Sequence, residues 1–329
     1  MKTDVFTVVS TMKNEAPFIL DWVAHYKTLG FDNILVCTND CDDPTVEMLL
    51  RLQELGLVVH HPTEIWERAG IQRSALRQAW KRYDIVNQAD WVFVCDADEY
   101  LNIHMGDGSA RALVAGSGPD IDAISVPWRI FGAQGIETFE DVPVTDQFHM
   151  AEASWDPVHH PASGKFGKAM VSNLPRLKRL GVHIPYYQDD YAPQARYVRP
   201  GGSAYVGPED YAISPPVFTH AQVNHYIVRS LESFLIKKAR GRVNHANNVM
   251  GIEYWQRWNK NVEPDTSIQR YKEASASLAS DLKADPVLGE LHARAVDWYR
   301  QKVAELRKDP DVQAMIAAIQ TGPQHQAVG

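Results

Sequence analysis

The chain has 329 residues, 45% of them hydrophobic and 22% charged, enough to bury a full core in one large domain or in a domain with an appendage. Its net charge of -8 gives no general attraction for nucleic acid, and no run approaches the ~18 apolar residues of a membrane span, so any membrane contact is expected to be peripheral. Three cysteines, Cys37, Cys41 and Cys95, form no CxxC pair, which argues against a disulfide framework or a zinc site and for a reduced, cytoplasmic chain. Met1 to Asp4 leads directly into Val5 to Val9, too short and too poorly flanked for a signal peptide.

Val5 to Ser10 predicts a buried strand, and Pro17 to Leu29 a helix with Phe18, Leu20, Trp22, Val23, Tyr26 and Leu29 at helical spacing. Asn33 to Thr38 is a second strand. Asp42-Asp43-Pro44-Thr45 then opens a helix that runs to Gly56. Leu57 to His60 is a third strand, Ile71 to Tyr83 a helix, and Trp91 to Cys95 a fourth strand. This alternation favours a Rossmann-like α/β fold, a mostly parallel sheet with helices on both faces. No GxGxxG follows the first strand; its place is taken by Thr11-Met12-Lys13-Asn14-Glu15. After another strand at Asp122 to Val126, residues 127–216 are rich in Pro, Gly, His and aromatic residues and read as long loops with short strands. Gln222 to Arg240 reads as a helix, and residues 266–319 as further helices broken at Asp285-Pro286 and Asp309-Pro310. The expected organisation is a main domain over 1–262, with halves 1–126 and 127–262, and a helical C-terminal extension over 263–329.

The most informative local feature is Asp96-Ala97-Asp98-Glu99, set at the carboxyl end of the strand beginning at Trp91. Ligands in open α/β sheets lie beyond the carboxyl ends of strands. If the chain stays extended through Ala97, Asp96 and Asp98 face one side, where carboxylate oxygens suit Mg²⁺ or Mn²⁺ and the phosphates such ions carry. A solvated acidic turn is the plain alternative.

The ordered series Lys13-Asn14-Glu15, Asp21-Trp22, His25-Tyr26, Gly30, Asp42/Asp43-x-Thr45, Gln72-Arg73, Trp91 and Asp96 to Tyr100 resembles the amino-terminal half of glycosyltransferases of the family 2-like and family 92 group. Trp128-Arg129-x-Phe131-Gly132-x-x-Gly135, the Lys168 segment, His183, Asn224-His225-Tyr226, Arg229-Ser230-x-Glu232-x-Phe234 and Lys237 to Gly241 continue it, so that it spans about residues 5–241. The resemblance implies a GT-A fold with a DxD motif, a nucleotide-sugar donor such as a UDP-sugar, a divalent metal and inversion at the anomeric carbon. The acceptor it implies is a hydroxyl of a glycan or glycolipid.

On that reading Asp98 is the first metal ligand, with Asp96 nearer the ribose or a metal-bound water, and His183 completing the shell unless His220 or His225 does so. The resemblance gives the loop of Lys13, Asn14 and Glu15 to the base and ribose. Asp42 or Asp43 can accept from the base or cap the following helix; Gln72, Arg73 and Ala97 are assigned to the donor side, where Arg73 can reach a phosphate or pair with an acid. Lys237, with Arg229, Lys238, Arg240 and Arg242, can clamp the diphosphate or complement a helix dipole. Asp146 stands where the family has an acid before an aromatic residue and is assigned as the base, although Gln147 departs from that pattern; Glu137, Asp189 and Asp190 are the substitutes. Trp128, Trp155, Tyr186, Tyr187 and Tyr191 form an acceptor platform or ordinary packing, and His159-His160 a loop. Two other readings stay open: a nucleotidyltransferase acting on sugar phosphates, which should carry a Gly-rich phosphate loop, and a non-catalytic nucleotide-sugar-binding protein on the same fold.

Overall fold

The computed structural model describes residues 3–66, 70–154, 166–204, 217–241 and 250–322. β1 (Phe6–Met12) reads as a continuous apolar run because both its faces are covered: Phe6 and Val8 join one core, Val9 the other. A short 3-10 turn leads into α1 (Ile19–Thr28), which ends at Gly30, where a φ of +83° is open to glycine at little steric expense. β2 (Asn33–Thr38), α2 (Thr45–Glu54), β3 (Val59–Pro62), α3 (Ile71–Arg82), α4 (Asp84–Asn87) and β4 (Trp91–Asp96) complete the first half. These strands are parallel in the order β3-β2-β1-β4.

The second half inserts β5 (Glu99–Ile103), α5 (Ala110–Ser117), β6 (Ala123–Ile130), α6 (Val144–Gln147), β7 (Met150–Ala151), β8 (Gly167–Val171), β9 (Leu177–Arg179), β10 (Tyr186–Tyr187), β11 (Tyr197–Val198) and β12 (Ala221–His225). Among the described residues the main sheet has nine strands and continues from β4 as β8-β6-β12-β5, with β11 beside β6. β8 and β5 run antiparallel to their neighbours, so the sheet is mixed while its β3-β2-β1-β4 half stays parallel. The architecture is the expected α/β, Rossmann-like arrangement with a helical C-terminus.

Three expectations are corrected. Gln222 to His225 is not helix but part of β12, a strand paired on both sides; Ala221-Gln222-Val223-Asn224 alternates apolar and polar residues, but the run is only five residues long and both its faces are buried. The helix, α7 (Leu231–Arg240), starts only after Arg229, whose φ of +52° breaks the backbone path, with Ser230 as the N-cap. The third strand lies two residues later than read, and Ala97-Asp98 is a turn rather than extended chain.

α8 (Ile252–Trp258) and β13 (Glu263–Pro264) lead to α9 (Lys272–Ala284), α10 (Pro286–Leu306) and α11 (Pro310–Gln320). Asp285 caps α10 by accepting from the backbone N–H groups of Val287 and Leu288 at 3.1 and 3.0 Å, and Asp309 caps α11 through Asp311 at 2.8 Å. These helices share the main core: Tyr299 of α10 meets the rings of Phe18 at 5.7 Å and Phe139 at 4.3 Å. Among the described residues no helix is long and apolar enough to cross a membrane.

Candidate active site

β1 and β4 are neighbours with Thr11 opposite Asp96, and beyond that pair the chains part, β1 toward α1 and β4 through the Ala97-Asp98 turn toward the far edge of the sheet. Divergence at the carboxyl ends of adjacent parallel strands leaves a crevice. A cleft of about 1010 Å³ lies there, and Lys13, Glu15, Gln72, Asp96, Ala97, Asp98, His183 and Lys237 all line it.

Each acidic group in the cleft is held by named partners. Gly70 (φ +74°) begins α3, whose first turn delivers Gln72; its Nε2 donates to Asp96 Oδ1 at 2.7 Å. The other Asp96 oxygen accepts from Lys168 at 3.0 Å, and Lys168 also lies 3.1 Å from Glu99. Lys168 and Glu99 are fully buried. Burial drives the Lys168 ammonium toward neutrality, but Asp96 and Glu99 outweigh it and raise its pKa. Burial likewise raises Glu99 to about 7 against the opposing pull of Lys168.

Asp98 accepts from Lys237 Nζ at 2.6 Å, and its other oxygen lies 3.4 Å from His225 Nε2. Burial opposes the charge on Asp98, yet Lys237 and His225 hold its pKa well below the usual carboxylate range. Glu15 is paired with Arg229 at 2.9 Å and with Arg240, and those guanidiniums keep it ionised despite burial. Arg229 also donates to the Ala97 carbonyl at 3.1 Å and lies 3.8 Å over the Phe18 ring. A bulky residue at φ +52° is strained, and here the strain sets the guanidinium between Glu15 and the acidic turn.

Asn14 (φ +54°) exchanges hydrogen bonds with Asp42, donating to its carboxylate and accepting from its backbone N–H at 3.0 Å. Both line an adjoining cavity of about 980 Å³ that shares Lys13 and Arg240 with the cleft. Asp43 accepts from Thr45 N and Ala16 N, each at 3.0 Å, and so ties the loop after β1 to the start of α2, whose N-cap position is Pro44.

Two assigned residues lie elsewhere. Arg73 is exposed and does not line the cleft, because consecutive helical residues point about 100° apart and Gln72 takes the inward position. Asp146, expected as the base, does not line the cleft: it pairs with Lys272 at 3.1 Å in a separate cavity lined by Asp21 and Tyr100. Tyr100 follows Glu99 in β5, and alternate strand residues face opposite sides of a sheet, which puts that cavity on the other face from the Glu99–Lys168 pair. Glu137 accepts from Gln320 at 2.9 Å, Asp189 from Lys178 at 2.9 Å, and Asp190 lies 4.0 Å from Arg176; none lines the cleft. Tyr187 and Tyr191 bond to Asp122 rather than to the site. Trp155, His159, His160 and Arg242 fall outside the described residues.

Sequence reasoning gave Lys168 no role and ranked His225 only as a competitor. The signal for Lys168 was present: a lone cation within Gly167-Lys168-Ala169-Met170-Val171, a run otherwise fit for a buried strand. Of the competing histidines, His225 is the one beside Asp98. His183 lines the same cleft, its Nδ1 3.1 Å from the Gly167 carbonyl, and burial lowers its pKa to about 4; His220 does not line it. Trp128 packs between them, 4.3 Å from the His225 ring and 5.2 Å from that of His183.

Among the described residues no group of three or more His, Cys, Asp and Glu side chains is arranged to hold a metal. Asp98 and His225 nevertheless form a pair of donors, and behind them His225 Nδ1 and Glu99 Oε1, 3.8 Å apart, are buried without hydrogen-bond partners. A ligating histidine backed by a carboxylate is a common metal-site arrangement, and Mg²⁺ or Mn²⁺ commonly takes only one or two carboxylates and completes its shell with phosphate and water. The residues fit an ion that arrives with its phosphates.

No protein-family description and no curated protein matches the chain. Among solved structures, one of S. aureus TarS overlaps 37% of this chain and 21% of its own, at 19% identity and a TM-score of 0.26, so the chain spans about a fifth of it. TarS 1–349 overlaps 92% of this chain and 91% of its own, at 13% identity and a TM-score of 0.36. Glucosyl-3-phosphoglycerate synthase from Mycobacterium tuberculosis, in complex with Mn²⁺, UDP and glucosyl-3-phosphoglycerate, overlaps 63% and 74%, at 16% identity and a TM-score of 0.34. Overlaps this loose decide nothing about the chemistry, which rests on the residues of the cleft.

Proposed function

We propose that this chain is a GT-A glycosyltransferase that moves a sugar from a nucleoside-diphosphate sugar, a UDP-sugar first among them, to a hydroxyl of a glycan or glycolipid, with inversion at the anomeric carbon. One observation carries the reading: Asp96 and Asp98 stand in a cleft at the carboxyl ends of parallel strands, encircled by Lys168, Arg229, Lys237 and Arg240. Such a site pairs carboxylates that can take a cation with cations that can take a diphosphate.

Each group has a task on this reading. Gln72 and Lys168 fix the Asp96 carboxylate through its two oxygens, so it meets the donor already oriented. Glu15 braces Arg229 and Arg240, which keeps positive charge beside the diphosphate without the entropy of mobile side chains. Lys13, Asn14 and Asp42 form the wall on the base and ribose side. Trp128 and Tyr254 offer apolar faces to a sugar in the same cleft. Mn²⁺ or Mg²⁺, held by Asp98 and His225 with Asp96 and His183 in the same cleft, would neutralise charge on the departing diphosphate.

The test is a panel of UDP-, GDP- and CMP-sugars, each with and without Mn²⁺, read by thermal shift and by slow hydrolysis. A UDP-sugar should raise the melting temperature most and be hydrolysed in a Mn²⁺-dependent way. Indifference to every nucleotide sugar would refute the assignment; binding without hydrolysis or transfer would favour a non-catalytic binding protein.

A further inference from the structure

Of the cations around the acidic turn, Lys237 is placed to move. Lys168 is fully buried between two carboxylates, and Arg229 is fixed by Glu15, the Ala97 carbonyl and the Phe18 ring. Lys237 comes from the last turn of α7, keeps 18% of its side chain exposed, and lines the cleft. Its Nζ donates to Asp98 Oδ2 at 2.6 Å and to the Ile227 carbonyl at 2.7 Å. The other Asp98 oxygen already faces His225 at 3.4 Å. The ammonium therefore sits on the carboxylate that a divalent ion would need, and two cations sharing one carboxylate in a low-dielectric cleft repel strongly.

We propose that Lys237 is an exchangeable counter-ion: it neutralises Asp98 while the cleft holds no donor and passes to the diphosphate when a metal–nucleotide complex takes Asp98. This rests on the donor reading above. An unbranched four-carbon stem with a freely turning ammonium suits the exchange, as a guanidinium held by two fixed partners does not. The consequence is coupled binding. Metal alone must displace Lys237 with nothing to receive it, whereas metal with nucleotide supplies the acceptor in the same step, so each ligand strengthens the other.

The test measures Mn²⁺ affinity by electron paramagnetic resonance, with and without UDP, for the unsubstituted protein, Lys237→Met and Lys237→Gln, each checked for folding by circular dichroism. Both variants should bind Mn²⁺ alone about tenfold more tightly, having lost a charge-assisted competitor, and bind UDP with Mn²⁺ about tenfold more weakly. In the unsubstituted protein, the Lys237 ¹³Cε resonance should move when UDP and diamagnetic Mg²⁺ are added together. Mn²⁺ affinity that the substitutions leave unchanged or weaken, or a Lys237 resonance that stays in place, overturns the exchange alone. Failure of every protein to bind Mn²⁺ in the presence of UDP overturns the metal reading, and the exchange with it.

Discussion

Removing the Lys168 ammonium tests whether buried charge balance holds the site together. Lys168 Nζ lies 3.0 Å from Asp96 and 3.1 Å from Glu99, with no exposure of either the Lys168 or the Glu99 side chain. Lys168→Met keeps most of the volume and deletes the charge, and breaking a buried pair from one side costs about 3–5 kcal/mol. The loss should depend on pH in a calculable direction. Glu99 titrates near 7 with Lys168 beside it, because burial raises it and Lys168 opposes that rise. Without Lys168 its pKa climbs further and the carboxyl keeps its proton. At pH 6 Glu99 is largely protonated in both proteins, so only the Asp96 contact and packing are lost. Above pH 7 the unsubstituted protein ionises Glu99 against Lys168 and the variant cannot, so the gap widens by about 1.4 kcal/mol per pH unit. Urea unfolding at pH 6, 7 and 8 measures this, and adding Glu99→Gln to Lys168→Met should remove the pH dependence. A loss below about 1 kcal/mol, or one equal at pH 6 and pH 8, would refute the reasoning.

Burial holds His25 and His183 at about 4, well under the 6.5 of an unfolded chain, so the unfolded state takes up more protons between those values. Stability should therefore rise as pH goes from 4 to 6.5: His25 and His183 each contribute a rise of up to about 3 kcal/mol, and Glu99, raised from 4.5 to about 7, cancels about one of the two; a melting temperature flat over that window would contradict it. Asp146→Asn should leave UDP-sugar affinity and transfer near normal, since Asp146 pairs with Lys272 in a separate cavity, and kinetics showing a hundredfold loss of rate would restore it as the base. Tyr299→Ala should destabilise the whole chain by about 3–5 kcal/mol in one cooperative transition, because Tyr299 packs on Phe18 and Phe139; separate unfolding of the C-terminal helices in calorimetry would show them to be independent.

What could be read from sequence was what local chemistry decides. Asp285-Pro286 and Asp309-Pro310 mark the starts of α10 and α11 because an N-cap carboxylate and an N1 proline act within a few residues. The acidic turn was legible for the same reason: an apolar strand ending in carboxylates is a local anomaly. Its counter-ions were not, since Lys168 lies 72 residues from Asp96 and Lys237 139 residues from Asp98, and only the sheet order brings them together. β12 carries a period-2 signal in Ala221-Gln222-Val223-Asn224, but Val223, Ile227 and Leu231 recur at helical spacing over a longer stretch, and that pattern outweighs five residues of alternation. Asp146 was chosen by its place before an aromatic residue, which carries no information about which face of the sheet it occupies.

The most direct measurement is a crystal structure with a UDP-sugar and Mn²⁺, collected at the manganese absorption edge. The account predicts one anomalous peak between Asp98 and His225, with the diphosphate beside it and Lys237 moved from Asp98 to a phosphate oxygen. A nucleotide bound away from Asp96 and Asp98, or anomalous density anywhere but at Asp98, would contradict it.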